Sequence, residues 1–538
     1  MTGGVPLDSL TWIGIAGATL ISEDLTIVSA GLAVGDGRLG MAAALTSCFV
    51  GIFLGDVGLW ALGRYGGRRV LAWGPIAKMP LTRLHALGHW LDGNPAVIFG
   101  SRFLPGTRMP LYIASGMVGT RPWRFIFWMF LAVAAWVPLI VVSTSRFGPA
   151  LAGPLEAVFG SGWLAKIATV ILVVILLRTI GALVTARGRA RLGVRLARWR
   201  AWEFWPAWLF QLPVGLWIAW LALRHRSVTL FSAANPAIED GGIVGESKSA
   251  ILRLLPPEWV IPWFTVRPGA PDQRLRAAVE GIAQAGWSWP VVMKPDVGER
   301  GVGVRWAQGP GDLEGYLARE PGAVVVQQAH DGPFEVGLFY VRHPDASTGH
   351  LFSITDKRFP VVFGDGRATV AELIERHPRY RLQADVFLAR QADVDRVPAA
   401  GEAVSLGRAG NHCQGTEFRD GRHLHTAALE AAVEAIARRI DGFHFGRFDV
   451  RYASREALAR GEGFAIVELN GVTSEATHIY DPDASLVAAW RTLMTQWSLA
   501  FAIGAANRAR GHRPVGVGRL ARLLAGYWRR RPAHRLSD

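Results

Sequence analysis

Up to about Leu223, long apolar stretches alternate with short arginine-rich turns; the rest of the chain has a different texture. A hydrocarbon core of about 30 Å takes about 20 apolar residues in one helix. Residues 39–62, 123–142 and 163–184 have that length and predict spanning helices. Residues 11–34 and 94–118 are also apolar but broken, the first by Glu23 and Asp24, the second by "FGSRFLPGTRMPLYIASG". Ionisable groups at membrane depth are costly unless paired or hydrated, so they usually mark a pathway. Proline and glycine breaks at that depth are tolerated only where protein or a water-filled cavity covers the freed backbone groups. Arginines that merely flank a span would snorkel to the interface. Arg102 and Arg108 sit between apolar stretches instead.

After Asn235 the period changes. "VVMK", "VRWA", "AVVVQQA", "EVGLFYVR", "FGRFDVRY" and "FAIVELN" read as strands. "ESKSAILRLL", "TVAELIERH" and "LHTAALEAAVEAIARRI" read as helices, the last two with apolar residues at helical spacing. This half predicts a soluble mixed α/β protein. Between the halves, "WEFWPAWLFQLPVGLWIAWLAL" is just long enough to span, but Pro206, Pro213 and its tryptophans favour an interfacial or re-entrant segment. The tail from Arg508 to Arg535 predicts a basic amphipathic helix on the membrane surface. Four segments result: a membrane region at 1–186, a basic loop and tryptophan-rich linker at 187–234, an α/β domain at 235–499, and a basic tail at 500–538.

The net charge of +15 fits arginines that orient spans and lie on anionic lipid. No nucleic-acid recognition motif accompanies it, so no nucleic-acid partner is expected. "RGRARLGVRLARWR" is the densest positive loop and is expected in the cytoplasm. Cys48 and Cys413 make neither a disulfide framework nor a metal cluster. "MTGGVPLDSL" lacks a basic leader, so no cleavable signal peptide is expected.

"KPDVGERGVGV" follows the apolar "WPVVM". It matches neither the P-loop pattern nor a dinucleotide fingerprint, and on its own it fits a plain hairpin. Gly298, Gly301 and Gly303 would let backbone amides approach anionic oxygens, with Lys294 just ahead of them. Near the other end, Asp449 in "GRFDVRY" and Glu468 and Asn470 in "FAIVELNGV" lie on strands expected to be neighbours. Residues two apart on a strand share a face, so these three make an oxygen-rich group suited to Mg²⁺.

Two resemblances follow. Residues 10–147 resemble the DedA family, also called the SNARE-associated or VTT domain, on "ISEDLTIVSAG", "GDVGLWALGRYGG" and "FGSRFLPGTRMPLYIASG". The resemblance implies a polytopic α-helical domain with re-entrant hairpins that moves a phosphate-headed lipid, a phospholipid or polyprenyl phosphate, in exchange for protons. By it Arg102 and Arg108 would bind the lipid phosphate, and Glu23 or Asp24, with Asp36, would carry the proton. The proline-rich spacing that often follows the family's first acid is absent, so the choice of acid stays open.

Residues 235–499 resemble the ATP-grasp superfamily of carboxylate–amine ligases. "GESKSAILRLLPPEWVIPWFTV" and "GRFDV" with "VELNG" match the D-alanine–D-alanine ligase branch, while "DKRFPVVFGDGRATVAELIERH" and "VPAAGEAVSLGRAGNHCQGTEFRD" match the cyanophycin synthetase branch. The resemblance implies ATP and two Mg²⁺ ions. It gives Lys248 and Lys294 to the ATP phosphates, Gln327 and Gln328 to the adenine hinge, and Glu335 to the ribose. Lys357 would meet phosphate or substrate, and Arg447 would steady the acyl phosphate and the tetrahedral intermediate. Asp449, Glu468 and Asn470 would be the metal ligands. At the hinge an acid is more usual than glutamine, and in "NGVTSEATHIY" Ser474, Glu475 and Thr477 replace the proline-glycine pair that binds the acceptor in many relatives. No general base stands out beyond His412 and His478.

The expectation is a bacterial-type inner-membrane protein with its ATP-grasp domain in the cytoplasm, joining an unidentified carboxylate to an amine or other nucleophile. Fusion to a lipid-handling domain suggests that the acceptor is lipid-linked or the product exported. Two alternatives stand beside it: a lipid flippase whose second half only binds nucleotide, and a ligase merely anchored by its first half.

Overall fold

Small residues let the helices of the first half approach closely. A computed structural model of the chain describes residues 9–71, 96–102, 108–159, 163–184, 186–298, 302–408, 410–412 and 415–530. It divides into two compact units, Met1–Leu196 and Ala197–Asp538. In the first, a Cβ on Gly63 would lie 2.2 Å from the Ile113 carbonyl oxygen, and one on Gly116 would lie 2.1 Å from that of Trp60. The "GLWALG" stretch therefore packs backbone to backbone against "IASG", the way small residues join membrane helices.

Two described helices are long and apolar enough to cross a membrane, Met41–Gly66 and Pro122–Gly148. The third expected stretch forms the helix Trp163–Val184, of which the described apolar run is Ile167–Leu176. The two polar-broken stretches are broken helices. Ser9–Ile21 and Glu23–Gly35 meet at Ser22, whose backbone is extended. Ala96–Ser101 and Arg108–Val118 flank the arginine motif, whose Phe103 and Pro105 lie outside the described residues.

The second unit is built on antiparallel sheets. Strands β1 (Trp263–Val266), β2 (Val291–Pro295), β3 (Arg305–Ala307) and β4 (Val324–Gln328) form one, in the order β1-β4-β2-β3. Helices Pro271–Gln284 and Pro310–Arg319 cover one face, meeting Val291, Met293, Val324 and Val326. Alternation sends Lys294, Val325 and Gln327 to the other face.

The larger sheet, β11-β10-β5-β6-β9, joins β5 (Phe334–Val341), β6 (His350–Arg358), β9 (Glu417–Asp420), β10 (Phe445–Tyr452) and β11 (Phe464–Asn470). On one face Val336, Leu338, Phe448 and Val450 pack with Leu429, Val433 and Ile436 of the helix Ala427–Arg438. The other face has two zones. Phe339, Val341 and Phe445 lie in an apolar cluster with Phe501 and Ile503 of the helix Leu486–Ala509. Further along the same strands come Glu335, Arg447, Asp449 and Arg451. Between β6 and β9 an insertion carries a two-stranded sheet, β7 (Val361–Phe363) with β8 (Ala403–Ser405), around its own small core.

Two boundaries differ from expectation. Residues 202–224 are not a separate linker: the helix Leu212–Arg224 buries Val214, Leu221 and Ala222 within the second unit. Trp217 Nε1 donates to the Met494 carbonyl (3.0 Å), and Trp490 Nε1 donates to that of Phe210 (2.9 Å). The tail starts later than residue 500, because Phe501 and Asn507 are buried on a helix that continues to Ala509. After it comes the amphipathic helix Val517–Arg530, and residues 531–538 lie outside the described residues.

Candidate functional sites: a buried charge cluster and a cleft between two sheets

In the first unit, four charges from separate helical segments meet. Arg102 pairs with both Glu23 and Asp56, and Arg108 pairs with Glu23 and lies 3.7 Å from Asp56. The side chains of Arg102, Glu23 and Asp56 are 1%, 7% and 3% exposed, whereas that of Arg108 is 33% exposed. Two acids and two bases balance, the condition under which charge is tolerated in an apolar surround. Among the described residues, Arg102 Nε has no hydrogen-bond partner. Asp56 is the acid that sequence inspection passed over, although it lies in the quoted "GDVGLW". Asp36 follows its helix at the C-cap and pairs with Arg38 at 3.9 Å, and Asp24 is one residue, about 100°, around the helix from Glu23.

In the second unit, β2 brings Lys294 to the cleft and β4 brings Gln327, with Nζ 2.6 Å from Oε1. Burial lowers the Lys294 ammonium to about 8, Glu468 opposing the shift and Lys248 adding to it. Lys248 starts a short helix fastened to the end of β2. Its backbone N–H donates to the Asp296 carbonyl (2.9 Å), Ser247 Oγ donates to the Asp296 carboxylate (2.7 Å), and its Nζ donates to the Gly298 carbonyl. Gln328 ends β4, its N–H donating to the Pro262 carbonyl. Gly303 has φ +78°, and a Cβ there would lie 2.9 Å from Pro295, so the loop needs glycine at that point. Gly301 lies outside the described residues.

Across the larger sheet the register sets the rest. Asp449 lies opposite Glu468, and Arg447 opposite Asn470. A bulge at Asp449/Val450 leaves Val467 without a partner, so Ile466 is buried in the core while Glu468, two residues on, faces the cleft. The Val467 carbonyl lies 3.5 Å from Lys294 Nζ, which joins the two sheets. Asp449 accepts from Arg447 Nε (2.9 Å) and Nη2 (3.1 Å) and from Asn470 Nδ2 (3.3 Å), and it pairs with Lys357 at 3.1 Å. Burial alone would raise its carboxyl, but Arg447 and Lys357 outweigh burial and hold it at about 2. Gly337 leaves room for this pair, since a Cβ there would come within 3.1 Å of Arg447 and 3.3 Å of Asp449.

Glu335 lies opposite Lys357 and beside Arg451, with contacts of 2.8 Å and 3.2 Å. Burial would raise its carboxyl and lower the Lys357 ammonium, yet the neighbouring opposite charges win, leaving Glu335 below and Lys357 above its ordinary value. Arg451 carries a signal that was available, because it is two residues past Asp449 in "GRFDVRY" and so on the same face. Arg451 and Arg408 both lie over the Trp306 ring, which brings the strand after the glycine loop against the insertion. Of the two histidines, His412 Nε2 lies 2.9 Å from Glu203, and His478 is lowered by burial, its Nδ1 having no partner among the described residues. Cys413 lies outside the described residues.

Asp449, Glu468 and Asn470 would offer a hard cation an all-oxygen donor set. Among the described residues no three His, Cys, Asp or Glu gather as a metal group, so the set depends on Asn470. Lys294, Lys357, Arg447 and Arg451 interleave there with Glu335, Asp449 and Glu468, and Glu475 also acts on Arg447. Lysines and arginines gathered in a cleft suit a polyanion such as a nucleoside triphosphate.

Comparisons with known proteins bear on the two units unequally. Over 125 residues the chain is 34% identical to a Haemophilus influenzae protein described as an uncharacterized membrane protein, covering 22% of this chain and 58% of that one. Over 159 residues it is 26% identical to undecaprenyl phosphate transporter A of Bacillus subtilis, covering 27% of this chain and 79% of that protein. The chain therefore spans less than two thirds of the first relative. Solved structures similar to it include a bifunctional glutathione synthetase from Pasteurella multocida, at 17% identity and a TM-score of 0.28, covering 47% of this chain and 35% of that one. A D-alanine–D-alanine ligase from Bacillus anthracis matches at 14% identity and a TM-score of 0.29, covering 49% and 68%. Likenesses this distant assign no activity. The family model described as the VTT domain matches residues 21–146, and the helices around Glu23, Asp56, Arg102 and Arg108 are a VTT domain.

Proposed function

We propose that this chain combines a proton-coupled carrier of a phosphate-headed lipid with a Mg-ATP-dependent ligase that joins a carboxylate to an amine or another nucleophile. The observation that supports the ligase reading is the meeting of Lys248 and Lys294 from one sheet's side with Arg447, Asp449, Glu468 and Asn470 from the other. A carboxylate is a poor electrophile. Its oxygen would attack the γ-phosphorus of ATP, forming an acyl phosphate and releasing ADP. The nucleophile would then attack the carbonyl carbon, the bond to phosphate would break, and the nucleophile's proton would leave with the phosphate. Lys248 and Lys294 would neutralise the ATP phosphates, and Arg447 and Lys357 would steady the charge that moves during transfer. Magnesium carried in with the nucleotide would take oxygens from Asp449, Glu468 and Asn470 and spread that charge.

In the VTT domain, re-entrant hairpins are the natural reading of the two broken helices. Arg108 is the cation a lipid phosphate would reach first, because it alone of the four charges is partly exposed. Protonation of Glu23 or Asp56 would release Arg102 and Arg108 for the phosphate, which couples lipid and proton. The relative named as an undecaprenyl phosphate transporter makes a polyprenyl phosphate the first lipid to test. ATP is cytosolic, so the second unit would face the cytoplasm, in keeping with the arginine-dense residues 187–200.

The test is hydroxylamine trapping with the full-length protein, MgATP and a panel of carboxylates. A trapped hydroxamate that depends on Asp449 would establish the acyl phosphate and name the donor. Trapping that persists in Asp449→Ala would remove the proposed site.

A further inference from the structure

The helix Leu212–Arg224 is apolar on both sides. Its inner side is already used: Val214 packs with Phe210, Ala489 and Leu493, and Leu221 packs with Phe501 and Ile503. Its outer side carries Leu212 (56% exposed), Leu216 (67%), Trp220 (43%) and Leu223 (78%), with Trp208 (73%) one turn ahead. Spacings of four, four and three residues put these on one stripe. A surface helix facing water carries polar residues on its outer side; an outer side of leucine and tryptophan calls for an apolar or interfacial neighbour.

We infer that this stripe is seated in the headgroup zone of an anionic lipid leaflet, so that the second unit rests on the bilayer through a surface of its own. Three observations favour lipid as the occupant. Exposed arginines bracket the stripe, Arg198 and Arg200 before it and Arg224 and Arg226 after it, which complements anionic headgroups and would repel the same stripe on a second copy. Tryptophan beside leucine is the composition of that zone. The chain also enters the segment shortly after the apolar helix Trp163–Val184.

Hydrogen bonds join the seat to the intersheet cleft. Gln211, next to Leu212, donates to Glu475 Oε1 (2.8 Å), Tyr480 OH donates to Oε2 (2.9 Å), and the Glu475 carbonyl accepts from Arg447 Nη1 (2.9 Å). On the other flank Glu203 binds Arg379 (2.6 Å) and His412 (2.9 Å) of the insertion. The inference rests on the membrane reading of the first unit and is independent of the ligase chemistry.

Spin-label accessibility tests it. Single cysteines at 208, 216 and 223, in a Cys48→Ala, Cys413→Ser background of the full chain, are labelled with a nitroxide in phosphatidylethanolamine–phosphatidylglycerol vesicles. Phe363, 65% exposed on β7, is the control. Collisions with oxygen should exceed those with a water-soluble nickel chelate several-fold at the stripe, with the order reversed at 363. Nickel accessibility at the stripe equal to that at 363 would overturn the inference, as would exclusion of both reagents, which marks a protein partner. Circular dichroism and thermal unfolding check each labelled protein's fold, and three positions guard against one perturbing label. Wild-type protein that fails to bind a fluorescent ATP analogue would sink the ligase reading and leave the leaflet result standing.

Discussion

The VTT cluster and the intersheet cleft are both buried charge networks, but they are assembled by opposite rules. In the first, Glu23, Asp56 and the Arg102/Arg108 pair come from helices far apart in sequence, and two acids cancel two bases. In the second, adjacent strands deliver charges at a two-residue interval, so that lysine, arginine and carboxylates interleave across the registered strands. A balanced cluster in an apolar surround responds when a proton or an anion disturbs the balance. Under the proposed reading, the intersheet cleft would receive a polyanion together with its metal. The same residue types thus sit on two different scaffolds, and under the proposed reading they serve two chemistries.

The strongest way to break this comparison is to disable one cluster at a time. Asp449→Ala should abolish MgATP-dependent product formation and leave lipid translocation intact, while Arg102→Ala should do the reverse, with both activities assayed in proteoliposomes. Joint loss in either variant would mean that the clusters are not independent. Next in size, Asp56→Ala leaves Arg102 and Arg108 in excess, and breaking a buried pair from one side costs about 3–5 kcal/mol. Thermal unfolding should show that loss, and Arg102→Met added to Asp56→Ala should recover part of it. Wild-type stability in Asp56→Ala would remove Asp56 from the cluster.

Arg447→Ala should raise the barrier to phosphoryl transfer by about 2.7–4 kcal/mol, read as a fall in kcat once a substrate is in hand. The smallest effect is a pH dependence. Burial puts Lys294 at about 8, so it is charged at neutral pH and loses its proton as pH rises through that value. Nucleotide affinity should weaken above pH 8 by at most about tenfold per pH unit, and Lys294→Arg should flatten the profile. A flat wild-type profile would count against contact between Lys294 and phosphate.

What was legible in the sequence follows from the same contrast. On β10, alternation alone places Arg447, Asp449 and Arg451 on one face and Phe448 and Val450 on the other, because a strand repeats every two residues. The shared face of Glu468 and Asn470 was legible in the same way, but the bulge that turns Glu468 outward while burying Ile466 has no such signature. Asp56 was hidden because its partner Arg102 lies 46 residues away, and helical packing at that range is not periodic in sequence. The tryptophan-rich segment was ambiguous for a related reason: an apolar helix reads alike whether lipid or protein covers it. Its inner Trp217 donates to the Met494 carbonyl while Trp208 and Trp220 are exposed, a division that only three-dimensional packing decides.

The most direct measurement is equilibrium dialysis of labelled ATP against the full-length protein, with and without Mg²⁺. Saturable binding strengthened by Mg²⁺, lost when Asp449 and Glu468 are both changed to alanine and unchanged in Arg102→Ala, is the predicted result. Equal binding by the wild type and the double alanine variant, or none by either, would contradict a nucleotide site in the cleft.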